Sequence, residues 1–224
     1  MIMKTMMLKI LLFLFGLEVF ATAQLPDKII YKGIEYDLFS NPLETYFERN
    51  PNRKPNLNIG GVIIESSALW RGYVATFEIK DSIIFVKDIQ IQYSDSTDGN
   101  GRVIKWKSVL NEVFPEQQEI KADWVSGLLV LPFGKLINYV HMGYGSTYED
   151  YILLEIDAGN LKLEKHFNYI EYGNFKERQF QSFKQTKEYK KIKRNLKNEG
   201  NSKNFIDSFL KSYVTDYTSK ILID

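Results

Sequence analysis

RGYVATFEIKDSIIFVKDIQI, residues 71–91, decides the fold class. Tyr73, Ala75, Phe77 and Ile79 fall on one side of an extended chain, while Val74, Thr76 and Glu78 fall on the other. That period of two marks a half-buried strand. Lys80-Asp81-Ser82 is a polar turn, and IIFVKDIQI returns as the partner strand, so the segment reads as an antiparallel hairpin. The strand period is expected from Val62 onward.

Further hairpins follow from the same signals. IIYKGIEYDLF (29–39) folds around Lys32-Gly33. GLLVLPFGKLINYVH (127–141) is expected to turn near Phe133-Gly134-Lys135, and EDYILLEIDAGNLKLEKHF (149–167) around Asp157 to Asn160. YSDSTDGNGR (93–102) is small, polar and glycine-containing, and reads as a loop. ERNPNRKPN, with Pro51 and Pro55, reads as another.

Helical signals lie between and after the strands. In NPLETYF, Asn41 suits a helix cap, Pro42 the first helical position, and Glu44 lies where it can reach back to the cap. Leu43, Tyr46 and Phe47 then share one face. WKSVLNEVF (106–114) is expected to be an amphipathic helix, with Trp106, Val109, Leu110, Val113 and Phe114 buried and Pro115 as its stop. From about Ile170 the composition turns lysine-rich. Phe175, Gln179, Phe183, Tyr189, Ile192 and Leu196 recur at helical spacing to a stop at Gly200, and NFIDSFLKSYVTDY makes a last helix with Phe205, Phe209 and Tyr213. The basic run Lys184–Lys197 is read as the solvated face of that helix. The expected fold is α+β: a twisted, mostly antiparallel sheet of seven or more strands built of hairpins, with short helices packed on it and two C-terminal helices. One domain is expected over 24–224, its part from 170 to 224 helical.

The first residues read as an export signal. Lys4 and Lys9 precede the apolar run Ile10–Leu17, and Ala21-Thr22-Ala23 has the small-x-small pattern of a cleavage site, so the mature chain is expected to begin at Gln24. Glu18 and the short apolar run argue against a membrane span, which needs about 20 apolar residues. The mature chain, roughly 200 residues, is long enough for a sizeable core and carries no expected transmembrane span. The destination is periplasmic or secreted. Removing Lys4, Lys9 and Glu18 takes the 29 basic and 28 acidic side chains to equal numbers, so no global charge favours nucleic acid. With no cysteine, disulfides, thiolate zinc sites, a cysteine nucleophile and a lipoprotein anchor are excluded. Aromatic residues make up 14% of the chain, a share that fills a β-rich core and also suits a binding surface.

No G-x-S-x-G elbow, phosphate loop, H-E-x-x-H or dinucleotide fingerprint is present, and no cofactor or metal site is expected. The best candidate for chemistry is YVHMGYGSTYE (139–149). His141 ends a strand, Gly143 and Gly145 free consecutive backbone N–H groups, and Tyr144, Ser146 and Glu149 are close by. A His141 base oriented by Glu149 is the catalytic reading, and a glycine turn that happens to carry a histidine is the structural one. His166 reads as surface. A second group is Arg71, Glu78, Asp123 and Trp124. The Arg71 guanidinium, next to Trp70, can stack on an indole, clamp a ligand carboxylate, or hold strand register in an ion pair. The ligand-binding candidates are therefore Arg71, Asp123, Trp124, His141, Tyr144 and Ser146.

NPLETYF, ALWRGYVATFEI, DWVSGLLVLPFGKL and YVHMGYGSTYE together resemble an uncharacterised family of bacterial proteins of about this size. The resemblance covers roughly residues 30–180 and implies no activity. The leading expectation is an exported binding or interaction protein with an unknown protein or small-molecule ligand. The alternatives are an exported hydrolase using His141 and an inhibitor-type partner of a secreted enzyme.

Overall fold

The computed structural model describes residues 22–56, 66–95, 103–115 and 118–223. Most of the leader, Val62 and the tip of the 93–102 loop lie outside them. The α+β expectation holds: hairpin-linked, mostly antiparallel strands form one sheet with helices packed against it.

The strands are β1 (Asp27–Tyr31), β2 (Ile34–Leu38), β3 (Tyr73–Lys80), β4 (Ile83–Asp95), β5 (Val103–Ser108), β6 (Ile120–Lys121), β7 (Gly127–Asn138), β8 (Thr147–Asp157) and β9 (Asn160–Asn168). The main path runs β2-β1-β3-β4-β9-β8-β7, with β5 and β6 both added to β4. Among the described strands only the β1–β3 pair is parallel. The path curls until its two ends meet, where the Phe39 N–H donates to the Val130 carbonyl at 2.8 Å.

The inside of this curl is the main core, built from Ile29, Leu38, Tyr73, Phe77, Ile89 and Leu131 among others. Helix α1 (Pro42–Arg49) closes it with Leu43 and Phe47, both buried as expected. The runs GLLVLP and YILL are continuously apolar because β7 and β8 are covered on both faces. Leu129, Leu131, Ile152 and Leu154 point into the curl, and Leu128, Val130, Tyr151 and Leu153 meet a helix outside it. That helix is α3 (Tyr169–Phe183), which follows β9 without a loop. Asn168 caps it by accepting from the Ile170 and Glu171 N–H groups, and Glu171 reaches back to the Asn168 N–H.

Four local expectations are corrected. First, WKSVLNEVF is not one helix. Val103–Ser108 is strand β5, and only Leu110–Val113 is helical (α2). Trp106 is 41% exposed, opposite Gln92 on β4. The run VIKWKS also alternates, and β4 continues far enough to offer it an edge. Second, GLLVLPFGKLINYVH holds one strand, Gly127–Asn138, and no hairpin. Gly134, at φ 78°, sits in a bulge where the β7–β8 register shifts, and the chain does not reverse.

Third, the Asn41–Glu44 capping box does not form. Both side chains serve distant partners, Asn41 accepting from the Tyr144 hydroxyl and Glu44 from the Tyr73 hydroxyl. Fourth, the helical C-terminal part has more pieces than expected: α3 is followed by α4 (Lys187–Asn198), α5 (Lys203–Ser212) and α6 (Val214–Tyr217). Thr186 breaks the expected run because its hydroxyl caps a new helix, and Ser202 caps α5 just after the expected stop at Gly200. The buried face of α5 is Ile206 and Leu210, while Phe205 is 53% exposed.

Gln179, fully buried on α3, anchors the C-terminal tail. Its amide donates to the Thr218 hydroxyl and the Lys220 carbonyl and accepts from the Leu222 N–H. Glu155 of β8 holds the same tail by accepting from the Ile221 N–H at 2.7 Å. These four bonds fix α6 above the β7–β8 face.

Candidate functional site

The glycine turn 139–147 and the C-terminal helices face each other across a cavity of about 300 Å3. Its apolar wall includes Phe39, Val130, Tyr151, Tyr172 and Tyr213. Its polar wall includes Tyr144, Ser146, Thr147, Lys176, Ser212 and Asp216. Thr215 and Asp216 also line a second hollow of about 320 Å3, on the side of α1.

The turn wall is rigid for local reasons. The Ser146 hydroxyl accepts from the Val140 N–H and donates to the Val140 carbonyl, and the Gly145 N–H donates to the Met142 carbonyl. A side chain at 145 would meet that carbonyl at 2.9 Å and Val140 Cγ1 at 3.0 Å, so only glycine passes there. Tyr144 stacks on Phe39, ring centroids 4.8 Å apart. Its hydroxyl donates to Asn41 Oδ1 and accepts from the Arg71 guanidinium at 3.0 Å. Burial pushes the Tyr144 phenol up to about 12, so it stays a neutral donor.

Behind Tyr144 lies a buried polar network. Arg71 and Asp27 have no side-chain exposure and form an ion pair at 3.2 Å. Arg71 also donates to the Leu25 carbonyl, and Asp27 Oδ1 accepts from the Ala75 N–H. Asp27 Oδ2 and Arg71 Nε have no partner. Burial pushes the Asp27 carboxyl up to about 6 against the pull of Arg71. Arg71 thus joins β1, β3, α1 and the cavity turn in one network, the ion-pair reading of the sequence. Trp70 is not its stacking partner, being 59% exposed, and the guanidinium lies over Tyr73 instead.

The helix wall carries the charge. Lys176 lies over the Tyr172 ring at 5.1 Å, and Tyr172 stacks on Tyr151 at 4.2 Å. Asp216 has open surface, and that surface faces the two hollows. Neither Lys176 nor Asp216 makes a hydrogen bond or an ion pair with the described residues. They sense each other only at longer range. Burial among protein atoms raises the Asp216 carboxyl to about 6 and lowers the Lys176 ammonium from its ordinary range.

The sequence-derived candidates separate in space. Arg71 and Tyr144 are hydrogen-bonded, and Tyr144 and Ser146 line the cavity. His141 is exposed and bonds Tyr139 through Nδ1 at 2.8 Å, while Glu149 accepts from the Lys135 N–H at the Gly134 bulge. The His141–Glu149 pair of the catalytic reading is therefore not assembled. Asp123 is exposed near the Ala158-Gly159 turn, and Trp124 packs on Tyr46 and Phe114 with its N–H on the Pro42 carbonyl. His166, read as surface, is exposed, and it bonds Glu164 together with Tyr31 and Lys32.

Sequence reading missed Phe39, Tyr172, Lys176, Tyr213, Asp216 and Asp27. Three of these left a trace. Lys176 sits in the stripe Tyr172–Gln179–Phe183, Asp216 interrupts the apolar VTDY, and Asp27 shares the inward face of Ile29 and Tyr31. Among the described residues no group of three or more histidine, aspartate or glutamate side chains could hold a metal ion, and no helix is long and apolar enough to cross a membrane. No family model, curated protein or solved structure matches this chain.

Proposed function

We propose that the protein is an exported small-ligand-binding protein whose ligand sits between the glycine turn and the C-terminal helices. The observation that carries the reading is the cavity wall, where aromatic rings adjoin a lysine and an aspartate that make no hydrogen bond or ion pair with the described residues. Binding sites combine an apolar lining with a few oriented polar groups in this way. The turn is held rigid by Ser146 and Gly145, so the wall is preformed and a ligand has little to reorganise.

Export is supported by the Ala21-Thr22-Ala23 pattern. A chain starting at Gln24 keeps the bond from its first nitrogen to the Gly143 carbonyl, 3.0 Å in the structure, at the back of the same turn. N-terminal sequencing of protein recovered from the envelope or medium should read Gln24 first, and an intact Met1 ends the export reading.

The cavity is tested by thermal shift with a panel of free amino acids, sugars, aromatic acids and amines, on the wild type and on Ser212→Trp. Ser212 is an exposed wall residue of α5, and an indole there fills the space while leaving the core alone. At least one compound class should raise the wild-type midpoint and leave the variant unmoved. Equal shifts in both proteins, or none in either, refute the cavity as the site.

A further inference from the structure

The cavity wall bears one positive and one negative side chain, and they do not neutralise each other. Lys176 is held at the Tyr172 ring, midway along α3, and Asp216 is held on α6 by the tail bonds to Gln179 and Glu155. No hydrogen bond or ion pair joins them, although both line the same cavity. The walls beside them are flat and apolar: Phe39 stacked under Tyr144, and Tyr151 stacked on Tyr172.

From this arrangement we infer that the cavity binds a zwitterion, a free amino acid with an aromatic or branched apolar side chain. Its α-carboxylate meets Lys176, its α-ammonium meets Asp216, and its side chain lies against Phe39, Val130 and Tyr151. The inference rests on the cavity being the ligand site.

Three arguments favour a zwitterion over a singly charged ligand. A ligand with one charge pairs with one wall group and leaves the other facing water alone. A zwitterion pairs with both groups at once, and the second pairing that singly charged analogues lack is a source of specificity. The hydroxyls of Ser212, on the helix side, and Thr147, on the turn side, line the same cavity and supply the additional donors and acceptors that a carboxylate and an ammonium require. The size also fits: about 300 Å3 equals the share of roughly ten waters in the liquid, enough for a single amino acid and small for a folded peptide.

The test is titration calorimetry at neutral pH on the wild-type protein with three probes of one shape: L-phenylalanine, 2-phenylethylamine and 3-phenylpropanoate. Phenylalanine should bind at least tenfold more tightly than either analogue. Lys176→Met should weaken phenylalanine at least tenfold and leave the amine unchanged. Asp216→Asn should do the reverse, sparing the acid. The wild-type comparison needs no variant to fold. Equal binding of phenylalanine and one analogue, with amide shifts at Ser146 and Thr147, overturns the zwitterion while keeping the cavity as a site. No binding of any probe overturns the amino-acid assignment, and the Ser212→Trp comparison then decides the cavity separately.

Discussion

Asp27 and Arg71 offer the sharpest test of how the core supports the site. Replacing Asp27 with alanine removes a carboxylate that accepts from both Arg71 and the Ala75 N–H. It leaves a guanidinium with no side-chain exposure facing no counter-charge. Losing one partner of a buried pair costs about 3–5 kcal/mol, because the remaining charge stays desolvated. Asp27→Asn keeps an acceptor for Ala75 and should cost less, about 1–3 kcal/mol. The double variant Asp27→Leu, Arg71→Met removes both charges and should recover much of the alanine loss, since apolar replacement of a whole buried pair is often close to neutral. Urea melts of the single variants Asp27→Leu and Arg71→Met beside the double give the coupling directly.

The pH dependence carries the sign. In the folded protein the Asp27 carboxyl is raised to about 6, above its reference value of 3.8. The folded state therefore holds this proton more tightly than the unfolded chain. Its contribution is fully present below about 4 and is lost as pH rises through about 6. Wild-type stability should fall across that window, and Asp27→Asn should flatten the slope. Single-variant losses under about 1 kcal/mol, or a double variant equal to the sum of the singles, would refute the account of a coupled buried pair.

The remaining predictions concern the corrected elements and the turn. Trp106→Ala should cost under about 1 kcal/mol in denaturant melts, since the indole is 41% exposed on an edge strand, whereas Phe175→Ala, at 1% exposure, should cost about 3–5 kcal/mol. Gly159→Ala should destabilise by more than about 1 kcal/mol, because φ is 75° and the added carbon meets the Ala122 carbonyl at 2.9 Å; a milder loss in thermal melts would mean the turn can shift. His141→Ala should leave both the melting midpoint and cavity binding unchanged, and loss of binding in that variant would return the histidine to the site. Glu164, held by Lys32, His166 and Tyr31, has its carboxyl lowered to about 2 despite partial burial. Its support of the fold should be present above about pH 4.5 and fade as pH falls toward 2, so Glu164→Gln should flatten the acid limb of a pH–stability curve.

The hairpins were legible because local signals and tertiary structure agree at their turns. Lys32-Gly33, Asp81-Ser82 and Ala158-Gly159 all take positive φ between strands of alternating character. The same signal misleads at Gly134. A positive-φ glycine serves a bulge as well as a turn, and only the partner strand decides, here β8 with Glu149 set against it. Trp106 was ambiguous in another way. Its neighbours satisfy both a helical and a strand period, and the choice was made by the free edge of β4, which no window around residue 106 contains. Asn41 and Glu44 have the residue types of a capping box, yet Tyr144 and Tyr73 compete for them from far along the chain.

The candidate site was half legible for the same reason. Its turn wall is local, and Tyr144 and Ser146 could be named from the glycines around them. The helix wall comes from residues that meet the turn only after β8, β9 and α3 have folded back over β7, so no spacing announces it. What the sequence does carry is two charges in places where the apolar period forbids them, Asp27 in the inward face of β1 and Lys176 in the stripe Tyr172–Gln179 of α3, while Asp216 stands exposed beside the buried Val214 and Thr215. Burying a charge costs free energy unless something compensates it. Asp27 has its compensation in Arg71. Lys176 has only the face of the Tyr172 ring and Asp216 stands on open surface, and that contrast separates a charge that serves the fold from a pair left open to the proposed ligand.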